Sequence, residues 1–151
     1  MPWIGLDDTD TLSGGCTTYE FHLLIEDLNK LSEEGKPWKV NDDIRLVRLW
    51  PFASKRTRGN AALAINIEIN YDDEEELHIF LENWFNNLLL RVSKIKVIQS
   101  EHSNREQTSP EPCLIYSRNQ YPDFYWEAVR SNVDYEYAKS IISNDPNSRI
   151  W

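Results

Sequence analysis

Asp7, Asp8 and Asp10 put three carboxylates within four positions, directly after the short apolar segment Trp3-Ile4-Gly5-Leu6. Hard oxygen ligands at that density suit Mg²⁺, and Mg²⁺ in turn carries phosphates. Strand spacing sends Asp8 and Asp10 to one side and Asp7 to the other, so a bend at Thr9 is expected to gather all three. Ser13-Gly14-Gly15 follows, where missing side chains let backbone amides approach a ligand oxygen. Thr17, with Glu20 three residues later, has the pattern of a capping box opening a helix. The free N–H groups and partial positive charge of such an end favour phosphate. Thr18 adds a second hydroxyl there, which on its own is a helix-capping group. The plain alternative for the series is an Asp-rich turn that caps backbone amides.

A basic loop, Lys55-Arg56-Thr57-Arg58-Gly59-Asn60, supplies the complementary charge. Lys55, Arg56 and Arg58 are the cations a triphosphate needs opposite its metal, and Gly59-Asn60 permits a tight backbone approach. Alone, such a loop is a solvated turn. At the ends of adjacent strands, the acidic and basic loops together are expected to form a nucleotide cleft. His22, His78 and His102 are too scattered for a histidine metal site or a Ser-His-Asp arrangement. Cys16 and Cys113 are too few for a disulfide framework and are expected to be small buried side chains.

The elements that must position these groups follow from periodicity. Phe21, Leu24, Ile25, Leu28 and Leu31 recur at helical spacing until Gly35-Lys36-Pro37 ends the run. Arg45 to Trp50 alternates charged and apolar residues, and Leu63, Ile65, Ile67 and Ile69 repeat at every second position. Both segments are therefore expected to be strands with one buried face. Acidic residues Asp72 to Glu76 suit a solvated first helical turn, and Leu77, Phe80, Leu81, Trp84 and Leu88 form that helix's apolar stripe. A polar stretch, Glu101 to Pro112, precedes an expected strand at Cys113-Leu114-Ile115-Tyr116. Pro122 opens a helix carrying Phe124, Trp126 and Val129, and Asp134 caps a second one through Ile142. Strand, helix, strand, strand, helix, strand is the ferredoxin-like order, so an α/β fold is expected, with helices covering one or both faces of a mixed sheet.

The chain has 151 residues, 40% of them apolar and 12% aromatic, enough for one domain with a core. Residues 1–151 are expected to form one unit, with the helical end 120–151 either completing it or belonging to an adjoining domain. A net charge of −9 argues against gripping a nucleic-acid backbone unaided. No apolar run reaches membrane-spanning length and no signal segment opens the chain, so a cytoplasmic protein without membrane contact is expected.

Read in order, Ile4-Gly5-Leu6-Asp7-Asp8-Thr9-Asp10, Gly15-Cys16-Thr17-Thr18-Tyr19, Arg45-Leu46-Val47-Arg48-Leu49 and Thr57-Arg58-Gly59-Asn60-Ala61 resemble the N-terminal part of the archaeal isoleucine-tRNA agmatinylcytidine synthetases. Ser109-Pro110 and Phe124-Tyr125-Trp126-Glu127-Ala128-Val129 are similar to later segments of that family. The resemblance implies a kinase-like α/β domain that uses ATP in joining agmatine to the C2 carbon of a tRNA wobble cytidine. It implies that Asp7, Asp8 and Asp10 bind Mg²⁺ and the phosphates, that Arg56 and Arg58 face the triphosphate, and that Thr18 lies in the active site and becomes phosphorylated. Thr18 or the cytidine C2 oxygen would then accept the phosphoryl group, and phosphorylating that oxygen makes it a leaving group.

The chain also departs from the family pattern. Trp50-Pro51-Phe52-Ala53-Ser54-Lys55-Arg56 stands where an Asn-rich Pro-Trp-Lys stretch is expected, and Arg56 replaces a lysine. Ser103 to Thr108 lacks the acidic residues expected there, with Glu101 and Glu106 as weak substitutes. The family continues into the rest of a ferredoxin-like domain, an OB-fold and a zinc ribbon that hold the tRNA. This chain is accordingly expected to be an excised domain, half of a split enzyme or a short relative, meeting tRNA only with further domains or a partner chain. Two other functions fit parts of the pattern. Asp8-Thr9-Asp10-Thr11 after a strand suits a haloacid dehalogenase-like phosphatase with Asp8 as nucleophile. The aromatic-rich end, Tyr116 to Trp151, suits a non-catalytic nucleotide-binding or partner-docking module.

Overall fold

The computed structural model describes residues 1–57, 59–102 and 106–151. Arg58 and the segment 103–105 lie outside the described residues. The elements run β1 (Trp3–Asp7), α1 (Thr17–Glu33), β2 (Trp38–Val40), β3 (Arg45–Arg48), β4 (Ala61–Ile69), a 3₁₀ turn (Tyr71–Asp73), α2 (Glu74–Val92), β5 (Cys113–Ser117), α3 (Pro122–Arg130), α4 (Tyr135–Ser143) and β6 (Ser148–Ile150).

The strands form one sheet in the order β2-β4-β1-β5-β6, with β3 also on β4. Every pairing is antiparallel, so the sheet is not mixed as expected. Long β4 accommodates two short partners along one edge: Arg45–Arg48 pair with Ala61–Ala64, and Trp38–Val40 pair with Ile67–Ile69. Asn66 spans the junction between them. Its carbonyl accepts from Asn41 N (3.1 Å) and its side-chain Oδ1 from Asn41 Nδ2 (2.7 Å).

Strand alternation turns Ile4 and Leu6 of β1, Leu63, Ile65 and Ile67 of β4, and Leu114 and Tyr116 of β5 into one core. Against them α1 packs Phe21, Leu24 and Leu28, and α2 packs Leu77, Leu81, Trp84, Phe85, Leu88 and Val92. Each such side chain, fully buried, contributes roughly 1.5–3 kcal/mol. The apolar spacing seen in the sequence therefore describes α1, α2 and β4. It does not describe β3, where Leu46 is exposed and no residue is buried, this short strand lying at the sheet's edge and pairing with β4.

Asp134 accepts from Tyr137 N at 3.0 Å and caps α4 as its position suggests. The acidic start of α2 is only partly solvated. Glu74 is largely enclosed, accepting from Tyr116 Oη and Arg118 Nε, so it ties α2 to β5. Chain reversal after α1 uses Gly35 at φ +99°.

The register explains why the motifs meet. Leu6 lies opposite both Leu63 and Leu114, Asp7 opposite Cys113, and Arg48 opposite Ala61. The loops following β1, joining β3 to β4 and leading into β5 therefore emerge at one end of the sheet.

Candidate functional site

At that end the chain leaves β1 through a bend centred on Asp8, at φ +54°, one residue earlier than expected. Asp tolerates this left-handed conformation better than most side chains. Here it is held from both sides: Asp8 N donates to Asp7 Oδ1 (2.8 Å), and Glu111 N donates to Asp8 Oδ2 (2.9 Å). Thr9 is fully buried and directs both its N–H and its hydroxyl to Thr17 Oγ1, at 3.2 and 3.1 Å.

Those two bonds correct the expected capping box. Thr17 is the first residue of α1 and Cys16 is the cap, with no side-chain capping bond. The Thr17 hydroxyl is already committed to Thr9, and Glu20 reaches Arg91 of α2 instead (2.6 Å). The turn closes through Thr11 N to the Gly14 carbonyl (2.7 Å), Thr11 Oγ1 to Ser13 Oγ (2.9 Å) and Ser13 Oγ to the Lys96 carbonyl. Gly15, at φ +81°, passes so close beneath this turn that a Cβ would sit 2.4 Å from the Thr9 carbonyl oxygen. Glycine is thus required by the fold of the acidic loop itself. Gly59 shows no such need, since a Cβ there would meet nothing within 4 Å.

The basic loop is fastened at several points. Leu49 N donates to the Asn60 carbonyl (2.9 Å), Asn60 Nδ2 to the Trp50 carbonyl (2.8 Å) and Trp50 N to the Ala128 carbonyl of α3 (2.9 Å). Arg56 Nη1 donates to the Ala53 carbonyl (2.5 Å), and Thr57 Oγ1 to the Asp10 carbonyl (3.1 Å), which joins the basic loop to the acidic one.

Between them lies a narrow polar cleft with a cavity volume of about 20 Å³, walled by Asp8 and Asp10, by Lys55, Arg56 and Thr57, and by Glu106, Gln107, Thr108 and Ser109. Of the residues singled out in the sequence, Asp8, Asp10 and Arg56 line the cleft, and Lys55 lines it beside them. Asp7, Gly14, Gly15, Thr17, Thr18, Gly59 and Asn60 do not, and Thr18 is exposed at the start of α1. Of the third wall, the sequence pointed only to Glu106, as a weak substitute, and to Ser109 within a family segment; Gln107 was not singled out. Gln107 is buried and exchanges two bonds with Gln99, its N–H to Gln99 Oε1 (2.9 Å) and its carbonyl from Gln99 Nε2 (3.0 Å). A polar stretch without periodicity gives no sign of such a clamp; only the paired glutamines eight residues apart could have hinted at it.

Carboxylates crowded together in a partly desolvated loop resist ionisation. Burial pushes the Asp7 carboxyl up to about 6, opposed by its bond from Asp8 N–H and reinforced by the charges of Asp8 and Asp10. Burial also raises Asp8, against the Glu111 N–H and with Asp10 and Glu111 adding repulsion, while Lys55 offsets part of it. Cys113, facing Asp7 across the sheet, is pushed up to about 11 by burial and by that charge, so it remains a thiol. Both cysteines are free and half-buried rather than fully buried. Among the described residues no three His, Cys, Asp or Glu side chains converge as a preformed metal cage.

An antiparallel α/β domain with an acidic and a basic loop bonded together at one end of its sheet is the class these features define. The family described as the TiaS TCKD domain matches residues 3–149, and the chain belongs to it. It is 32% identical over 143 residues to the isoleucine-tRNA 2-agmatinylcytidine synthetase TiaS of Caldivirga maquilingensis, covering 95% of this chain and 30% of that protein. The Pyrobaculum neutrophilum protein of the same name is 46% identical over 74 residues, 49% of this chain and 17% of its own length. A crystal structure of apo TiaS, an isoleucine-tRNA agmatidine synthetase, shares the fold, with a TM-score of 0.64 and 22% identity, over 99% of this chain and 31% of that one. The chain thus spans about 30% of the length of the Caldivirga relative. Among the described residues no helix is long and apolar enough to cross a membrane.

Proposed function

We infer that this domain performs Mg²⁺-dependent phosphoryl transfer from ATP within an enzyme that joins agmatine to the wobble cytidine of isoleucine tRNA. The observation that carries this is the meeting of Asp8 and Asp10 with Lys55 and Arg56 on one cleft, in a chain whose relatives are named as isoleucine-tRNA 2-agmatinylcytidine synthetases. The donor set fits the metal. Mg²⁺ takes one or two carboxylates together with phosphate oxygens and water, so two wall carboxylates suffice without a cage. The repulsion that raises Asp7 and Asp8 is also what a divalent cation relieves. Bound there, Mg²⁺ neutralises phosphate charge.

In this scheme Asp8 and Asp10 hold the metal, and Asp7 fixes the bend from behind. Lys55 and Arg56 stabilise charge on the transferring group, and Arg58 joins them on the strength of the sequence motif. Gly14 and Gly15 shape the turn that leads to the α1 N-terminus, Thr17 anchors it, and Gly59 and Asn60 close the basic loop. By the family resemblance the acceptor of the γ-phosphoryl group is the cytidine C2 oxygen or Thr18 Oγ1. The Pγ–O bond to ADP breaks as the new P–O bond forms, and Thr18, which lies outside the cleft walls on the exposed first turn of α1, would give its hydroxyl proton to solvent. Agmatine and tRNA are substrates of the assembled enzyme, the tRNA being gripped by further domains or a partner chain, in the cytoplasm. The ferredoxin-like assignment is supported by the path β5-β1-β4-β3, in which β1 and β4 are central.

The test is incubation with Mg²⁺ and ATP labelled at the γ-phosphate, beside an Asp8→Asn variant. ADP release abolished by the substitution, with label on Thr18, is the expected result. Absence of both binding and turnover, even with tRNA and agmatine present, would refute the assignment. A docking role is the second reading, favoured by α3, which has no buried residue and exposes Tyr125 and Trp126. ATP binding without turnover would favour it.

A further inference from the structure

We propose that Phe52 stacks on the base of the nucleotide whose phosphates occupy the Asp8–Arg56 cleft; this rests on the assignment of that cleft to a nucleoside triphosphate. The cleft's cavity volume, about 20 Å³, is far below the usual range for sites that enclose a whole cofactor, roughly 300–1,000 Å³. Its walls are almost wholly charged or hydroxylated. It has room for phosphate oxygens at its charged walls and leaves the base and ribose to be bound outside it.

The loop that supplies the cationic wall also carries an aromatic presented to solvent. Phe52 is 69% exposed, and its ring stands edge-on to Trp50 with centroids 5.1 Å apart. A single exposed phenylalanine ordinarily needs no explanation. This one sits at the tip of a segment tied down on both sides. Trp50 donates its N–H to the Ala128 carbonyl, and its own carbonyl accepts from Asn60 Nδ2 and, at 3.3 Å, from Ala53 N. The Ala53 carbonyl in turn accepts from the guanidinium of Arg56, itself a cleft residue. Phe52 is therefore held in the loop that supplies the cationic wall, a few positions before Lys55 and Arg56, with its ring steeply inclined to the Trp50 indole and largely open to solvent. A fixed aromatic with an open face is what base stacking uses, and it tolerates any base because every base has a π-face.

Alanine substitution of a stacking aromatic lowers affinity by about tenfold per base. The experiment compares wild type, Phe52→Ala and Phe52→Trp for binding of Mg-ATP, inorganic tripolyphosphate and a short single-stranded RNA. Circular dichroism verifies that the exposed-site variants remain folded. The proposal expects Phe52→Ala to weaken ATP about tenfold and leave tripolyphosphate unchanged, with Phe52→Trp restoring ATP binding. Unchanged ATP affinity, or equal weakening of ATP and tripolyphosphate, overturns the stacking role while the phosphate cleft stands. Weakening confined to the RNA overturns the assignment to the nucleotide. If wild type binds neither ATP nor tripolyphosphate, the cleft assignment itself has failed.

Discussion

Gly15 offers the sharpest test of how the acidic loop is built. Alanine there meets two separate penalties. At φ +81° an L side chain is in left-handed territory, which costs roughly 1–2 kcal/mol. Its Cβ would also lie 2.4 Å from the Thr9 carbonyl oxygen and 2.9 Å from Asp10 Cα, both backbone atoms that cannot swing aside. Forcing such contacts apart costs a further 1–3 kcal/mol or so, giving about 2–5 kcal/mol in all. Gly35→Ala is the matched control, since at φ +99° it incurs the conformational penalty alone, with nothing within 4 Å of the added carbon. Gly59→Ala incurs neither and should stay within about 0.5 kcal/mol of wild type. Urea denaturation of the three variants gives the differences directly. Thermal unfolding should show Gly15→Ala melting roughly 4–20 °C lower. Should Gly15→Ala cost no more than Gly35→Ala, the turn does not pack against Thr9 and Asp10 as described.

Three further outcomes follow from named contacts. Thr17→Val removes the acceptor that serves buried Thr9 twice and should cost about 1–3 kcal/mol in denaturant unfolding, whereas Thr18→Val, at an exposed position, should be close to neutral. Protonated Asp7 favours the native state below the unfolded value of 3.8, and up to about 3 kcal/mol of that stability is lost as pH rises through 6; Asp7→Asn should flatten the stability profile over that window, and an unaltered profile would exclude Asp7 as its source. His78 is buried with neither ring nitrogen hydrogen-bonded, and its pKa is lowered by burial and by Arg149, so its contribution weakens as pH falls below 6.5. His78→Leu should remove that acid-side loss and cost less than about 1 kcal/mol at pH 8, measured by the same unfolding assay.

The parts of the fold that were legible are those with enough residues to display a period. Leu63, Ile65 and Ile67 alternate into the core, and Leu77, Leu81, Trp84 and Leu88 mark the buried side of α2, because each series spans several repeats. Strands β2 and β6 have three residues each, too few for alternation to register, so Trp38 in the core and Trp151 packed against it were not foreseen. The capping box failed because a hydroxyl can serve an amide eight residues upstream as well as one in its own helix, and Thr17 serves Thr9. At the site, Asp8, Asp10, Lys55 and Arg56 could be paired in advance because opposite charges on two loops suggest each other. Gln107 could not, since its position depends on a clamp to Gln99 that no residue type announces.

The two-strand edge of β4 bears on colloidal behaviour. Long, apolar β1 and β4 are both interior to the sheet, and the outer positions fall to β2, β3 and β6, none longer than four residues. Each of these carries a cation, Lys39, Arg45 and Arg48, or Arg149. Short, positively charged borders give a neighbouring molecule little on which to extend a ladder. Edge-to-edge growth of the sheet is thereby disfavoured.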